Sequence, residues 1–306
     1  MAIFAIVGRR LGQSLLSLLF LVTAVFFIAR MTGDPGQLYL PLDATPEAVA
    51  QFDKAHGFDQ PVYRQFERYA AGIVHLDFGQ SLRREAPALD VVFEAFPTTV
   101  VLVVATELVA LVFSVVAGSL MALRPGSLLD RAGTVLVVAG ASLPDFWVAL
   151  MAILVFSVSL HVLPTSGPGG ILHWIMPVGV LSLRAVGSLT QVVRGSTMEI
   201  LASPYIEAAR GRGVGNIRIL FFHSLRNAAI PVITLVGIQV AGILNGTVIV
   251  ETIFGLPGIG RLLVTSILGR DFAVVEATVI VVALTIFAVN IVIDLSYSAI
   301  DPRVRA

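Results

Sequence analysis

Six stretches of this chain each carry about 20 or more consecutive, almost wholly apolar residues, the length a helix needs to span a bilayer core. They run over residues 11–29, 97–123, 133–160, 172–193, 229–252 and 274–293. Of the 306 residues, 57% are apolar and 13% charged, against about 25% charged in soluble domains. An ordinary soluble enzyme, a disordered chain and a basic nucleic-acid binder are excluded. The expectation is an all-α polytopic membrane protein with six transmembrane helices. The first stretch follows Arg9 and Arg10, as a signal peptide would. Its apolar run is too long for one and no small-residue cleavage site follows, so it is read as a retained helix. Pro144 in the third stretch removes a backbone hydrogen bond and predicts a kink, with Asp145 placed to cap the half that follows. Splitting that stretch into two spans would leave pieces too short to cross.

The net charge is zero, and its distribution supplies an orientation. Segments 1–10, 124–131, 194–228 and 301–306 carry eleven arginines against four carboxylates, a net of +7. Segments 31–96, 161–171 and 253–273 carry a net of −4, and the two short ones contain only Arg261 and Arg270 as basic residues. The positive-inside rule then places both termini in the cytoplasm. The expected organisation is an N-terminal region with the first span (1–30), an extracytoplasmic helical segment (31–96), and a five-span core (97–306) bearing a cytoplasmic loop at 194–228. Within 31–96, Thr45 and Pro46 suit the N-cap and first position of a helix.

Most catalytic chemistry is missing. There is no cysteine, hence no disulfide, thiolate or Cys-ligated metal. The one lysine, Lys54, lies in no phosphate-binding loop, and neither HExxH nor GxSxG occurs. RGRGVG (210–215) and GLPGIG (255–260) have glycine spacings but follow no strand. The chain is expected not to be an enzyme, so uphill movement of a solute would draw on a partner protein or an ion gradient. Glu107 and Arg184 fall inside spans two and four, where a bare charge costs at least about 2.5–3.5 kcal/mol. They are expected to pair between helices, or to line a path that favours a zwitterionic solute. Asp145 is a further pathway candidate. Asn290 and Asp294 read as packing or interfacial residues. His161 and His173 lack carboxylate neighbours and read as interfacial, so no metal site is expected.

The loop 194–228 invites a helix–glycine–helix reading. Ser203 and Pro204 suit a helix start, Gly213 a left-handed stop after Arg212, and Asn216 the cap of a second short helix. Tyr205, Ile206, Ala208 and Ala209 offer small and apolar surface. Docking into a groove of a soluble partner and lying on the membrane surface both fit this pattern.

Glu207-Ala208-Ala209 followed by Gly213 resembles the coupling motif of ABC importer permeases. HSLRNAAIP, from His223 to Pro231, is more specific and is similar to the first (B-type) subunit of the dipeptide/oligopeptide/nickel permease family. GDP at 33–35, GFDQP at 57–61, DFGQSL at 77–82, FGLPGIG at 254–260, Arg270-Asp271 and DPR at 301–303 extend the resemblance over nearly the whole chain. His223, Leu225 and Arg226 depart from the I-x-L-P ending of the general importer motif, as this family does.

The resemblance implies a type I ABC importer permease in a bacterial inner membrane. It would work as a heterodimer with a homologous permease, two cytoplasmic ATPases and an external solute-binding protein. ATP and magnesium would be bound by the ATPases, and no cofactor by this chain. Tyr205, Glu207, Ala208, Ala209, Gly213, His223 and Arg226 would form the ATPase-coupling surface. Span five would lie near the pore, adding Asn245 and Glu251 to the pathway candidates. Phe254, Gly255, Pro257 and Gly258 would be candidates for touching the binding protein. Di- or oligopeptides are the expected solute, with nickel chelates or glutathione as alternatives. A gradient-driven secondary transporter is the rival class.

Overall fold

The computed structural model describes residues 12, 16–28, 40, 44–81, 83–215, 218–219 and 225–300, except the side chains of 225–227 and 294–300. Among the described residues the regular structure is helical apart from one antiparallel pair of two-residue strands. The compact units are discontinuous in sequence: residues 1–97 with 261–288 form one, and 98–260 with 289–306 the other.

The first unit contains α1 (Leu16–Ile28), α2 (Pro46–His56), α3 (Val62–Val74), the strands β1 (Gln80–Ser81) and β2 (Ala86–Pro87), and the start of α4 (Ala88–Leu123). It also takes most of α10 (Ile259–Leu268) and α11 (Phe272–Ile300). Helix α2 starts where the sequence places it. The Thr45 side chain accepts from the Ala48 N–H, Pro46 is the first helical residue, and Gly57 ends the helix at φ 72°. Phe26 of α1 is fully buried, stacked 5.3 Å from Tyr69 and edge-on 5.2 Å from Phe66 of α3. The antiparallel pair β1–β2 was not expected. Its Ser81 hydroxyl donates to Asp271, and Arg83 Nε donates to the Gly269 carbonyl at 2.7 Å. These bonds tie the hairpin to the α10–α11 turn.

The second unit holds the rest of α4, then α5 (Leu128–Ser142), α6 (Asp145–Ala152) continuing as a π-helical segment Ile153–Ser159, α7 (Leu172–Leu201), α8 (Pro204–Gly211) and α9 (Leu225–Phe254). Helix α7 is its centre. Of its most apolar stretch 56% is buried, against 28–33% in the other long helices. It packs on α5, α6 and α9. Small residues let backbones approach, as they do where lipid supplies no hydrophobic drive between helices. A Cβ on Gly187 would lie 2.8 Å from the Val137 carbonyl of α5, and one on Gly118 2.8 Å from the Thr190 carbonyl of α7. Ser114 and Ser182 add hydroxyl bonds between α4 and α7, to the Val186 and Thr106 carbonyls. The outer side of α4, with Val104, Leu108, Val112, Phe113 and Val116, stays exposed and apolar.

Among the described residues, four helices are long and apolar enough to cross a membrane: α4, α7, α9 from Ala228 and α11 to Ile293. The third expected span differs from the sequence reading. It is not one kinked helix but a pair, α5 and Asp145–Ser159, bent by 100°. Pro144 supplies no N–H and holds Leu143 extended (ψ 138°), which stops α5 and restarts the chain in a new direction. Asp145 does not cap. Pro144 occupies the N-cap, no side-chain cap bond forms, and Asp145 is the first residue of α6. Of the stretch 11–29, the described part is residue 12 and the 13-residue helix α1. Residues 1–11 and 301–306, and the GDP motif at 33–35, lie outside the described residues.

Candidate functional site

The loop between α7 and α9 is built from its first turn upward. Asp130, in the first turn of α5, is buried and takes Arg194 of α7 in a two-point bond, its Oδ2 accepting from Nη2 at 2.8 Å. That oxygen also accepts from the Gly126 N–H. This bond fixes the last two turns of α7, from which the chain leaves at Leu201. Ser203 takes the N-cap position and Pro204 the first helical one, as expected. The Ser203 hydroxyl does not cap α8, however; it donates to the Ile200 carbonyl at 2.7 Å. That bond closes the turn and leaves the N-terminus of α8 without a side-chain cap.

Helix α8 presents a narrower face than the sequence suggested. Ile206 and Ala209 are buried within the chain, at 0% and 2% exposure, so they anchor the helix and offer no docking surface. Tyr205, Glu207, Ala208, Arg210 and Arg212 are exposed. The helix stops as read from Gly213, which has φ +80°. The Gly213 N–H donates to the Arg210 carbonyl, and the Val214 N–H to that of Ala209. A left-handed residue is reached without strain only by glycine. Asn216 and His223 lie outside the described residues, as does the side chain of Arg226.

The charges expected inside the spans do not pair as proposed. Glu107 on α4 is 7% exposed, and neither of its oxygens has a hydrogen-bond partner. Arg184 on α7 is exposed and lines a cleft of about 220 Å³ with Asp145 of α6 and Gln239 of α9. The Glu107–Arg184 pair is therefore not made. Asn245 is exposed on α9 outside that cleft.

Glu251 does something different from lining a path. It is fully buried, accepting from Thr99 Oγ1 at 2.6 Å and from the Gly260 N–H at 2.7 Å. Thr99 in turn accepts from the Ile259 N–H at 2.8 Å. The turn 254–260 is folded around this carboxylate. A Cβ on Gly258 would come within 2.3 Å of the Glu251 carboxyl group, and one on Gly260 within 2.5 Å of the Val248 backbone. Both glycines are required by that approach. Phe254 is buried at 2% and Gly258 is also buried, so neither offers surface; Pro257 is exposed and Gly255 half-buried. The sequence reading missed this network, although the paired glycines of GLPGIG facing a lone carboxylate were its visible signal. It also missed the Asp130–Arg194 bond. Among the described residues no three His, Cys, Asp or Glu side chains gather as a metal site.

Residues 114–306 match the family described as binding-protein-dependent transport system inner membrane component. The chain belongs to this family. Residues 1–103 match the N-terminal region of such membrane components. The glutathione transport system permease protein GsiC of Escherichia coli K12 is 34% identical over 302 residues, covering 98% of each chain. The GsiC protein of Shigella flexneri serotype 5b is similar to the same degree, 34% over 98% of each chain. Among solved structures, a chain of the inward-facing MetNI methionine ABC transporter superposes with a TM-score of 0.60 at 16% identity, over 69% of this chain and 96% of that one. This likeness bears on the fold alone. The protein is a permease subunit of an ABC importer and a multi-pass protein of the bacterial inner membrane, as the sequence resemblance implied.

Proposed function

We propose that this permease forms half of the translocation pathway of an ATP-driven importer for short peptides, with glutathione, itself a tripeptide, inside the accepted class. The observation that carries the reading is helix α8, anchored by Ile206 and Ala209 and displaying Tyr205, Glu207 and Ala208 outward. A short helix held on its inner side and exposed on its outer side suits a cleft in a soluble partner. The partner is a cytoplasmic ATPase, two of which serve a heterodimer of this chain and a homologous permease. ATP and magnesium belong to those ATPases. A solute-binding protein delivers cargo from outside. The similarity to GsiC supports glutathione as a solute, and the wider di- and oligopeptide class rests on the sequence resemblance. The arginine distribution supports a sixth crossing by the stretch 11–29 and cytoplasmic termini.

The test is uptake by proteoliposomes containing the full transporter, with its binding protein outside and ATP inside. Labelled glutathione and dialanine are expected to accumulate when ATP is hydrolysed and to ignore proton and sodium ionophores. Uptake that collapses with ionophores and needs no ATP would instead mark a gradient-driven carrier.

A further inference from the structure

The cleft beside α7 holds two opposite charges that packing does not account for. Asp145 stands there because Pro144 breaks the span and makes it the first residue of α6. Arg184 sits near the middle of α7, and Gly242 and Gly246 of α9 leave part of the wall without side chains. A Cβ on Gly246 would lie 3.4 Å from Asp145 Oδ2. Neither Asp145 nor Arg184 forms an ion pair among the described residues, in contrast to Arg194 and Asp130. The walls are tied to each other: the Gln239 amide of α9 donates to Ser188 Oγ of α7 at 2.7 Å and to the Ala185 carbonyl at 3.3 Å. Two charges inside a span, sharing one cleft yet not neutralising each other, mark a solute path more readily than a structural pair.

From this geometry we infer that the cleft is a station for a zwitterionic solute of dipeptide size. Arg184 receives its carboxylate, Asp145 its ammonium, and the glycine wall its backbone. A guanidinium suits a carboxylate because its planar fork donates two parallel bonds. At about 220 Å³ the cleft falls below the range of about 300–1,000 Å³ typical of drug-sized ligands, which selects a dipeptide or one end of a longer peptide. The inference rests on the peptide reading above.

The chain has no cysteine, so Ile238→Cys, on the cleft wall, places a single thiol in this subunit. In the assembled transporter, its modification by a charged methanethiosulfonate reagent is followed on this subunit's own band. Millimolar dialanine is expected to slow labelling by about tenfold, the change produced by about 1.4 kcal/mol of occupancy. N-acetyl-dialanine amide is expected to have no effect. Adding Arg184→Ala or Asp145→Asn should abolish protection. Arg184→Lys, which keeps the charge, should retain part of it, separating loss of the site from loss of the fold. Unchanged labelling with dialanine, or protection that survives both neutralising variants, would overturn the cleft. Failure of the peptide reading is separately visible, as absence of ATP-driven dialanine uptake by the unmodified transporter.

Discussion

Two turns of the second unit carry family motifs, and they are built in opposite ways. The turn 254–260 folds inward around a buried carboxylate, with Thr99, Ile259 and Gly260 all bonded into one network. The α8 turn folds outward, with Ile206 and Ala209 buried and the Glu207 and Ala208 side exposed. Each motif has its glycines for a different reason. Gly213 is needed for a left-handed backbone, Gly258 and Gly260 for close approach. Family likeness of a loop therefore does not by itself mark a contact surface: one of these motifs keeps the fold and the other is free to meet a partner.

Removing the carboxylate should break this contrast most visibly. Glu251→Ala leaves a buried hydroxyl and a buried backbone N–H without their acceptor, a loss of about 2–4 kcal/mol. Thermal unfolding of the purified complex should show a clearly lowered midpoint and less assembled protein. Gly260→Val should do the same by overpacking against Val248. An unchanged midpoint in both would mean that the turn is not held by this network.

The α8 turn should respond in the other currency. Glu207→Arg is expected to lower ATP-dependent uptake by about tenfold or more while stability stays within about 0.5 kcal/mol, as at an exposed site. Gly213→Asp places a side chain at φ +80°, a local strain of about 1–2 kcal/mol, and should also impair uptake while the subunit still inserts. The readouts are uptake rate and melting midpoint of the same preparation. Normal uptake in both variants would sink the assignment of α8 to the ATPase.

A smaller effect is expected where α8 is aimed. Arg194→Ala frees the end of α7 from Asp130, 9 residues before the N-cap Ser203. It should lower uptake by about two- to threefold, within the range for residues that modulate coupling without touching either ligand. Asp130→Asn should be milder, since one acceptor oxygen remains. Uptake per ATP hydrolysed is the measurement, and unchanged stoichiometry in Arg194→Ala would deny this bond a part in coupling.

The spans were legible because their signal is one-dimensional: α4, α7, α9 and α11 fall on expected apolar stretches, and Thr45, Pro46, Pro204 and Gly213 mark their turns by local backbone chemistry. The 100° break at Pro144 was underestimated, because a proline specifies a missing hydrogen bond but not how far the chain then turns. Which side of α8 is buried depends on helices distant in sequence. The same holds for the charges. Glu107 and Arg184 share a depth along their helices, but rotation about each axis decides partners. That rotation set Arg184 in one cleft with Asp145 without joining them in an ion pair, and bonded Glu251 to Thr99, 152 residues away.

The finest test of the contrast is Pro257, the exposed residue of the inward-folded turn. The stabilising network runs through Glu251, Thr99 and Gly260 and leaves it out, so Pro257→Ala should shift stability by no more than about 0.5–1 kcal/mol, the cost of a looser unfolded chain. If the turn also meets the solute-binding protein, that contact is confined to Pro257 and the part of Gly255 at the surface, because Phe254 and Gly258 are buried. Binding-protein-stimulated ATPase activity then separates the two roles. A loss of stimulation without a change in melting would add a contact to a turn otherwise devoted to the fold, while an unchanged response would restrict partner recognition in the second unit to surfaces other than this turn.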